Sequence, residues 1–485
     1  MSYSIQSIEL YVRDTKPGRV VFSLGRKGGT GDLSQATTNP LGHVRMVVRD
    51  SQGNESFGCA GDRLSVRWLD KRPGRSKSLK LNELVSLIET SREIYLQKKE
   101  FDSPFAMWRD CYSQILKVGR SRNQEDLTSC LASGLFERAM VDAVCRLSGK
   151  SMFRMVKDGQ LGIQPETVHP ELKPLNLEEH LPARPRTQIA VRHTIGLKDV
   201  LREKDIQEKD RVNDGLPETL EEYIKIDGIR HFKIKVSGDP DYDVKRLSQI
   251  WEVVVKATEP VITLDANESY QDLKTLDMFV QKFEDELIGM FQHVECIEQP
   301  LPRSVQLNRE NEKWIRKINE RKPLIIDESD GDVNAFKRAF AAGFAGTSHK
   351  NCKGFFKSLL NYGLLTHYSL QGRFCIMTAE DLQNLPVVPL QQDFASVAML
   401  GIEHCERNGH HYNYGLSMLS EKDKQRAAKH HPDLYTKRGD EYFLKIVDGQ
   451  VQCRSLQCSG FGLQDEPDWP SMTPMRTWLK KNYPA

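Results

Sequence analysis

Three acidic residues end three successive apolar runs, and this arrangement constrains the fold more than any other feature of the chain. The runs and their acids are Val261–Leu264 with Asp265, Val294–Ile297 with Glu298, and Leu324–Ile326 with Asp327. Runs of this length that are mostly apolar are typical of parallel strands buried on both faces. The acids are about 30 residues apart, which is enough for one helix and the next strand of a β/α barrel. The pattern therefore places all three acids at the carboxyl-terminal face of such a barrel.

Strand-like and helix-like segments alternate from Thr187 onward, which indicates a parallel barrel. The predicted strands are Gln188–His193, His231–Val236, the three runs above, Gly346–His349, Arg373–Met377 and His410–Tyr414. The predicted helices include Leu216–Ile226, Val244–Val255, Leu273–Phe283 and Phe394–Glu406. The predicted fold is thus an α/β barrel of the TIM type, as a modified (β/α)7-8β barrel.

The first part of the chain has a different pattern and predicts an α+β module in front of the barrel. Short β-like runs separated by turns suggest an antiparallel meander, and helical spacing begins near Leu79. The β-like runs are Ser7–Val12, Val20–Leu24, His43–Val48 and Ser56–Cys59. We expect this module to cap the barrel.

The predicted domain boundaries follow these changes of pattern. We assign 1–160 to the capping domain, 161–186 to a proline-rich linker or excursion, and 187–415 to the barrel with the metal site. Residues 416–485 comprise a charged insertion and a C-terminal segment expected to return to the cap.

Composition excludes some classes of partner. Of 485 residues, 69 are Lys or Arg and 67 are Asp or Glu, and the signs are interspersed. A net charge of +2 offers no basic face for nucleic acid or an anionic membrane. The start of the chain lacks a signal-peptide pattern and the ten cysteines have irregular spacing, which favours a cytoplasmic protein with reduced thiols. The expected partner is a small molecule, with a homo-oligomer left open.

Lys233 and Lys235 precede the three acids on the predicted second strand and project to the same side of it. An ammonium close to another ammonium has a lowered pKa, which suits a base that takes a proton from carbon. A solvated strand edge is the competing interpretation. The acids that follow favour the catalytic one.

Asp265, Glu298 and Asp327 together supply the hard oxygen ligands that Mg²⁺ prefers. Any one of them could instead cap the following helix. Three in the same position after three strands favour metal ligation.

Lys350 follows the predicted sixth strand, one further repeat around the barrel, and so faces the metal from the side opposite Lys233 and Lys235. Two opposed lysines can serve both faces of one planar intermediate. Lys353 is the rival for this position, and a charged loop is the competing interpretation of both.

Five motifs in this order resemble the enolase superfamily, in its branch of muconate-lactonizing and mandelate-racemase-like enzymes. They are Lys233-Ile-Lys235, Asp265-Ala-Asn267, Glu298-Gln-Pro300, Asp327-Glu328 and Lys350-Asn-Cys-Lys353. The segment Phe136–Lys150 resembles the helix that ends the capping domain of this family, and Gly460–Leu463 resembles its C-terminal Gly-x-Gly.

This resemblance implies a carboxylate substrate bound to Mg²⁺, whose α-proton is removed to give an enediolate. Asp265, Glu298 and Asp327 are then the metal ligands, and Lys235 and Lys350 act on opposite faces of the substrate. Lys233 contacts the substrate carboxylate. The expected enzyme is a racemase or epimerase, with a dehydratase, another lyase or a cycloisomerase as alternatives.

Some features depart from the family pattern. The chain has Lys353-Gly354-Phe355 where a Gly-Gly pair is usual, and no histidine stands near the end of the seventh strand. Glu380 and Asp381 are found there instead and are predicted to contact the substrate or orient Lys350, or to precede a helix. His193, at the end of the first strand, is a further predicted substrate contact. These departures keep open a non-catalytic, metal-binding descendant.

Overall fold

The computed structural model describes residues 2–15, 19, 39–382 and 384–484, so the predicted run Val20–Leu24 lies outside the described residues. The chain begins with a capping domain of antiparallel strands followed by helices. Its elements are β1 (Tyr3–Arg13), β2 (Leu41–Asp50), β3 (Glu55–Arg63), α1 (Val66–Leu69), α2 (Lys77–Lys98), β4 (Glu100–Phe101), α3 (Pro104–Ser121), α4 (Asp126–Leu147) and α5 (Met152–Lys157). The predicted α+β cap is confirmed.

Helix α4 lies at the centre of the cap, and most of its residues are apolar or small. All its residues from Leu127 to Cys145 are buried. It packs so closely on β3 that a Cβ added to Gly58 would lie 2.0 Å from the carbonyl oxygen of Ala139. Only glycine allows this approach of strand and helix.

The proline-rich segment between the cap and the barrel is packed rather than extended. It contains short 3₁₀ turns and α6 (Leu177–His180), and Leu172, Leu177 and Leu181 are buried. Leu172 packs against Phe336 and Leu364 of the barrel helices.

The barrel has eight parallel strands with helices between them, as predicted. Its elements are β5 (Gln188–Ile195), α7 (Leu220–Asp227), β6 (His231–Lys235), α8 (Pro240–Val254), β7 (Val261–Asp265), α9 (Leu273–Glu286), α10 (Ile288–Gln292), β8 (Val294–Glu298), α11 (Arg303–Gln306), α12 (Glu312–Asn319), β9 (Leu324–Ile326), α13 (Ala335–Ala341), β10 (Gly346–His349), α14 (Phe355–Leu370), β11 (Ile376–Ala379), α15 (Val388–Leu400) and β12 (His404–Glu406). Pairing of β12 with β5 closes the barrel.

The sequence misplaced the eighth strand. The predicted strand His410–Tyr414 forms the short helix α16 (Gly409–Tyr412) and the turn after it, whereas β12 lies within the predicted helix Phe394–Glu406. The strand is short and contains His404 and Glu406, so it lacks the apolar run that marked the earlier strands. Helix α15 is buried along its whole length, including its polar residues, so no exposed polar face marks its boundaries.

The last part of the chain returns to both domains. Its elements are α17 (Glu421–His430), β13 (Tyr435–Arg438), β14 (Glu441–Leu444), β15 (Gln450–Gln452), β16 (Thr473–Pro474) and α18 (Met475–Asn482). Strand β15 pairs antiparallel with the first three residues of β5, Gln188–Ala190. Strand β16 pairs with β1, with Tyr11 opposite Pro474.

Candidate active site

Strand β6 brings Lys235 and Lys233 to the same side of the barrel wall, because alternate residues of a strand share a face. Lys235 is paired in register with Asp265 of β7. Its Nζ donates to Asp265 Oδ2 at 2.6 Å and to Asn267 Oδ1 at 2.7 Å. The second strand and the third are thus joined by an ion pair where both strands end.

Lys233 is buried at the meeting point of four carboxylates. Its Nζ lies 3.0 Å from Asp265 Oδ2, 2.9 Å from Glu298 Oε2, 2.5 Å from Glu380 Oε2 and 3.0 Å from Glu406 Oε2. Burial alone lowers a lysine pKa, but these four acids outweigh it and hold the pKa of Lys233 well above its ordinary value. The expectation that the neighbouring ammonium lowers the pKa of this lysine pair is therefore wrong for Lys233.

Asp265, Glu298 and Glu380 each direct one carboxylate oxygen to a common point, with these oxygens within 4.8 Å of one another. All three side chains are buried. Oε1 of Glu298 and Oε1 of Glu380 have no hydrogen-bond partner among the described residues. Burial and the nearby Glu380 raise the pKa of Glu298 well above its ordinary value. Unpaired, buried oxygen donors of this kind fit a hard cation such as Mg²⁺.

Asp327, the predicted third ligand, stands beside this group and is held by lysines. Its Oδ2 accepts from Lys350 Nζ at 2.7 Å, and its Oδ1 accepts from Lys353 Nζ at 3.0 Å and Ser348 Oγ at 2.8 Å. Burial and Glu380 raise the pKa of Asp327, but Lys350 and Lys353 outweigh them and lower it to about 2. The structure groups Glu380 rather than Asp327 with Asp265 and Glu298.

Lys350 and Lys353 differ in where they point. Lys350 contacts Asp327 and, at 3.1 Å, Oε2 of Glu380, so it reaches the central acids. Burial lowers the pKa of Lys350, yet these two acids raise it well above its ordinary value. Lys353 instead bridges Asp327 and Asp330, the latter at 3.5 Å.

Glu380 and Asp381 follow β11, and their side chains contact different partners. Glu380 joins the central acids, and burial by itself raises its pKa, but Lys233 and Lys350 hold the pKa well below its ordinary value. Asp381 forms a buried ion pair with Arg407. The structure thus brings Glu380 to the lysines and Asp381 to Arg407, the residue after β12.

His193 does not lie with the other predicted site residues. Thr194 is in register with Lys233, and its hydroxyl donates to Glu406, so Thr194 faces the barrel interior and His193 faces outward. The His193 ring packs 4.4 Å from the ring of Tyr223 of α7. Strand alternation, which cannot be assigned from one histidine in a sequence, decides this position.

Two residues of the site were missed in the sequence. Glu406 ends β12 and contacts Lys233, and an acid at the end of a correctly placed eighth strand would have indicated it. Trp68 comes from the cap: its ring centroid lies 4.2 Å from Lys350 Nζ, and its indole N–H donates to Glu328 Oε1 at 3.2 Å. No sequence signal connects Trp68 with the barrel.

Glu328 lies between the cap and the acids of the barrel. Its Oε1 also accepts from Asn267 Nδ2 at 3.0 Å. Burial and the nearby Asp327 and Asp265 raise its pKa to about 7. The cap therefore closes over a water-poor group of opposed lysines and carboxylates, an environment that strengthens interactions between charges.

Comparison with known proteins agrees with this architecture. A family model described as enolase C-terminal domain-like matches residues 215–352. No curated protein sequence matches the chain.

Solved structures with the same fold cover nearly the whole chain. One is a dipeptide epimerase from Enterococcus faecalis V583 complexed with Mg and L-Leu-L-Tyr, with 13% identity, a TM-score of 0.59, and coverage of 95% of this chain and 100% of that one. A mandelate racemase/muconate lactonizing protein from Herpetosiphon aurantiacus has 15% identity, a TM-score of 0.57, and coverage of 96% and 99%. An enolase from Pseudomonas fluorescens Pf0-1 with bound magnesium, potassium and tartrate has 12% identity, a TM-score of 0.58, and coverage of 100% and 95%.

The family match covers the part of the barrel that holds most of the candidate site, and the solved structures share the fold of nearly the whole chain. The chain shares its closed eight-stranded barrel and N-terminal α+β domain with these solved structures. The family match spans the sequence motifs from Lys233 to Lys350 on which the resemblance depends. Among the residues that the structure describes, no helix is both long and apolar enough to cross a membrane.

Proposed function

We propose that this protein is a Mg²⁺-dependent enzyme that removes the α-proton of a small carboxylate substrate and acts as a racemase or epimerase. The observation that carries the proposal is the opposition of Lys235 and Lys350 across the buried carboxylates. Lys235 is the last residue of β6, and Lys350 directly follows β10. These two strands are four apart in a closed barrel of eight and therefore lie on opposite walls. A flat intermediate between them is open to one lysine on each face.

Asp265, Glu298 and Glu380 are the residues whose oxygens fit the metal ion, with Asp327 beside them. Mg²⁺, when bound, supplies positive charge that offsets the negative charge developing on the substrate carboxylate. Lys233 lies among the same acids and is the nearest ammonium for the substrate carboxylate. Trp68 covers Lys350 from the cap and limits the access of water.

One lysine acts as the base and the other as the acid in each turnover, and these roles reverse in the opposite direction. In one direction, Lys235 as a neutral amine takes the α-proton, so that the C–H bond breaks and an N–H bond forms. Lys350 as an ammonium then returns a proton to the opposite face of the enediolate, and the configuration at carbon inverts. No electron is gained or lost overall, so no redox partner is required.

The similar structures support a substrate with a free carboxylate. Two of them are dipeptide epimerases, from Enterococcus faecalis and Cytophaga hutchinsonii, and one is an enolase with bound tartrate. Dipeptides and hydroxy acids are therefore the first compounds to test. A dehydratase or cycloisomerase would share the first half of the reaction and differ in where the electrons of the enediolate go.

Exchange in deuterated buffer tests the proposal, with Mg²⁺ present and NMR as the readout over a library of carboxylates and dipeptides. Lys235→Ala and Lys350→Ala should each stop racemisation, and each should keep exchange on the enantiomer that faces the remaining lysine. Lys225→Ala, on the exposed side of α7, is the matched lysine control and should behave like wild type. If folded protein with Mg²⁺ exchanges no substrate in the library, a non-catalytic metal-binding role gains support. If only Lys235 matters, the reaction is one-sided and is an elimination or cycloisomerisation.

A further inference from the structure

The ammonium of Lys233 occupies the point on which the carboxylates of the site converge. The oxygens that it contacts on Asp265, Glu298 and Glu380 belong to the three residues that can together hold a metal ion. Glu406 adds a fourth contact at 3.0 Å. Four buried carboxylates at this separation repel one another strongly unless a cation lies between them.

A metal ion held by these three carboxylates needs the space between them, and the Lys233 ammonium contacts an oxygen of each one. Mg²⁺ binds oxygen at about 2.1 Å, so an ion shared by the three carboxylates would lie close to the ammonium. Two cations at such a distance also repel each other in a buried site. The backbone of Lys233 is fixed in β6 by pairing with β5 and β7, whereas its side chain has four rotatable bonds.

We infer that Lys233 is the resident cation of this carboxylate group, and that its ammonium and a divalent metal ion exclude each other there. Metal binding moves the Lys233 side chain away from the acids and frees its ammonium for the carboxylate of the substrate. The metal thus binds before the substrate. This inference rests on the proposed function, because it concerns the same metal and the same carboxylate substrate.

Lys235 provides a control with the same charge and nearly the same location. Its Nζ contacts Asp265 and Asn267 but has no ion pair with Glu298 or Glu380. Removing Lys235 takes one positive charge from the site without emptying the point of convergence. A difference between the two lysines therefore reports displacement and not charge alone.

The experiment is a calorimetric titration of Mg²⁺ into metal-free wild type, Lys233→Met and Lys235→Met. We expect Lys233→Met to bind Mg²⁺ at least ten-fold more tightly than wild type, and Lys235→Met to differ from wild type by less than three-fold. Equal or weaker binding by Lys233→Met overturns the inference. An equal gain in both variants also overturns it, since charge removal would then explain the result.

Thermal unfolding with and without Mg²⁺ covers the case in which Lys233→Met is too unstable for titration. A Mg²⁺ ion that replaces the ammonium should raise the melting temperature of Lys233→Met, and of Lys233→Gln, more than that of wild type or Lys235→Met. KCl at matched ionic strength should not have this effect. A rise no larger than in wild type contradicts the inference.

The outcomes separate this inference from the proposed function. If all three proteins bind Mg²⁺ alike and wild type still exchanges substrate protons, only the role of Lys233 fails. If none of them responds to Mg²⁺ by either method, the magnesium requirement in the proposed function fails as well.

Discussion

Lys350 and Lys353 lie one short turn apart, and both donate to Asp327, but only Lys350 reaches the central acids. Lys350 contacts Glu380 and lies under the ring of Trp68. Lys353 lies behind it, between Asp327 and Asp330, and Asp330 is also paired with Lys357 at 2.6 Å. The geometry assigns proton transfer to Lys350 and a structural role to Lys353.

Substitution of these lysines should separate activity from stability. Lys350→Met should lower turnover by about 10²–10⁴-fold, the usual range for loss of a general acid or base. Lys353→Met should lower the free energy of unfolding by about 1–3 kcal/mol, because buried acids lose a partner, while proton exchange on both enantiomers persists. NMR exchange and urea unfolding of both variants give the comparison. Normal activity in Lys350→Met combined with inactive, stable Lys353→Met would reverse the assignment.

Substitution of single carboxylates should show which of them bind the metal ion. Asp265→Asn and Glu298→Gln should weaken Mg²⁺ binding severely, because each removes a charge and a ligand. Glu380→Gln should weaken it more than Asp327→Asn does, because Glu380 has an oxygen grouped with those of Asp265 and Glu298 and a second oxygen without a hydrogen-bond partner. Calorimetric titration of the four variants tests this order. A larger loss in Asp327→Asn would restore Asp327 as the third ligand, as the sequence predicted.

Helix α4 of the cap and helix α14 of the barrel meet at Glu137. The backbone N–H of Phe355, at the first residue of α14, donates to Glu137 Oε1 at 2.5 Å. A carboxyl group at a helix N-terminus satisfies an N–H that the helix leaves unpaired. The cap therefore fixes the start of α14, directly after the loop that carries Lys350 and Lys353.

The pH dependence of stability should show this contact. Burial raises the pKa of Glu137 to about 8, although the hydrogen bond from Phe355 lowers it in part. Between the ordinary carboxyl pKa and about 8 the folded state holds a proton that the unfolded state has lost, so stability from this group falls as pH rises. Glu137→Gln should flatten the decline of melting temperature between pH 5 and 8. Glu93→Gln, an exposed control on α2, should leave the slope unchanged, and an unchanged slope in Glu137→Gln would contradict the assigned protonation.

The C-terminal segment connects the end of the molecule to its beginning. Strand β16 extends the sheet of the cap beside β1. Helix α18 packs against α2 and β1, and its residues Met475, Trp478 and Leu479 are buried. Asp142 of α4 adds a link by accepting the backbone N–H of Phe461 at 2.7 Å. The cap is thus built from both ends of the chain.

Loss of this packing should destabilise the cap. Trp478→Ala should cost about 3–5 kcal/mol, the usual effect of removing a large buried aromatic side chain. Arg476→Ala on the same helix should cost less than about 1 kcal/mol, because its ion pair with Glu89 lies at the surface. Denaturant unfolding followed by tryptophan fluorescence measures both, with a separate early transition expected if the cap detaches from the barrel. Equal effects of the two substitutions would show that α18 contributes little to the cap.

The sequence determined the barrel, the cap and most of the strand ends. Apolar runs ending in Asp265, Glu298 and Asp327 are local patterns, and burial on both faces of a parallel strand requires them. Lys235 and Lys350 were placed on opposite walls by counting strands, which needs only the order of elements. These features depend on neighbours in the chain or on the repeat of the fold.

Only the tertiary structure decided which charged side chains of the site contact one another. Glu380 and Glu406 join Lys233 because barrel closure brings the last two strands to the second, an encounter across more than 140 residues. The eighth strand itself was missed because its three residues carry no apolar pattern. Trp68 reaches Lys350 through the docking of the cap, and His193 faces outward because of strand register. Long-range contacts of this kind leave no local pattern in the sequence, since each partner is compatible with many other surroundings.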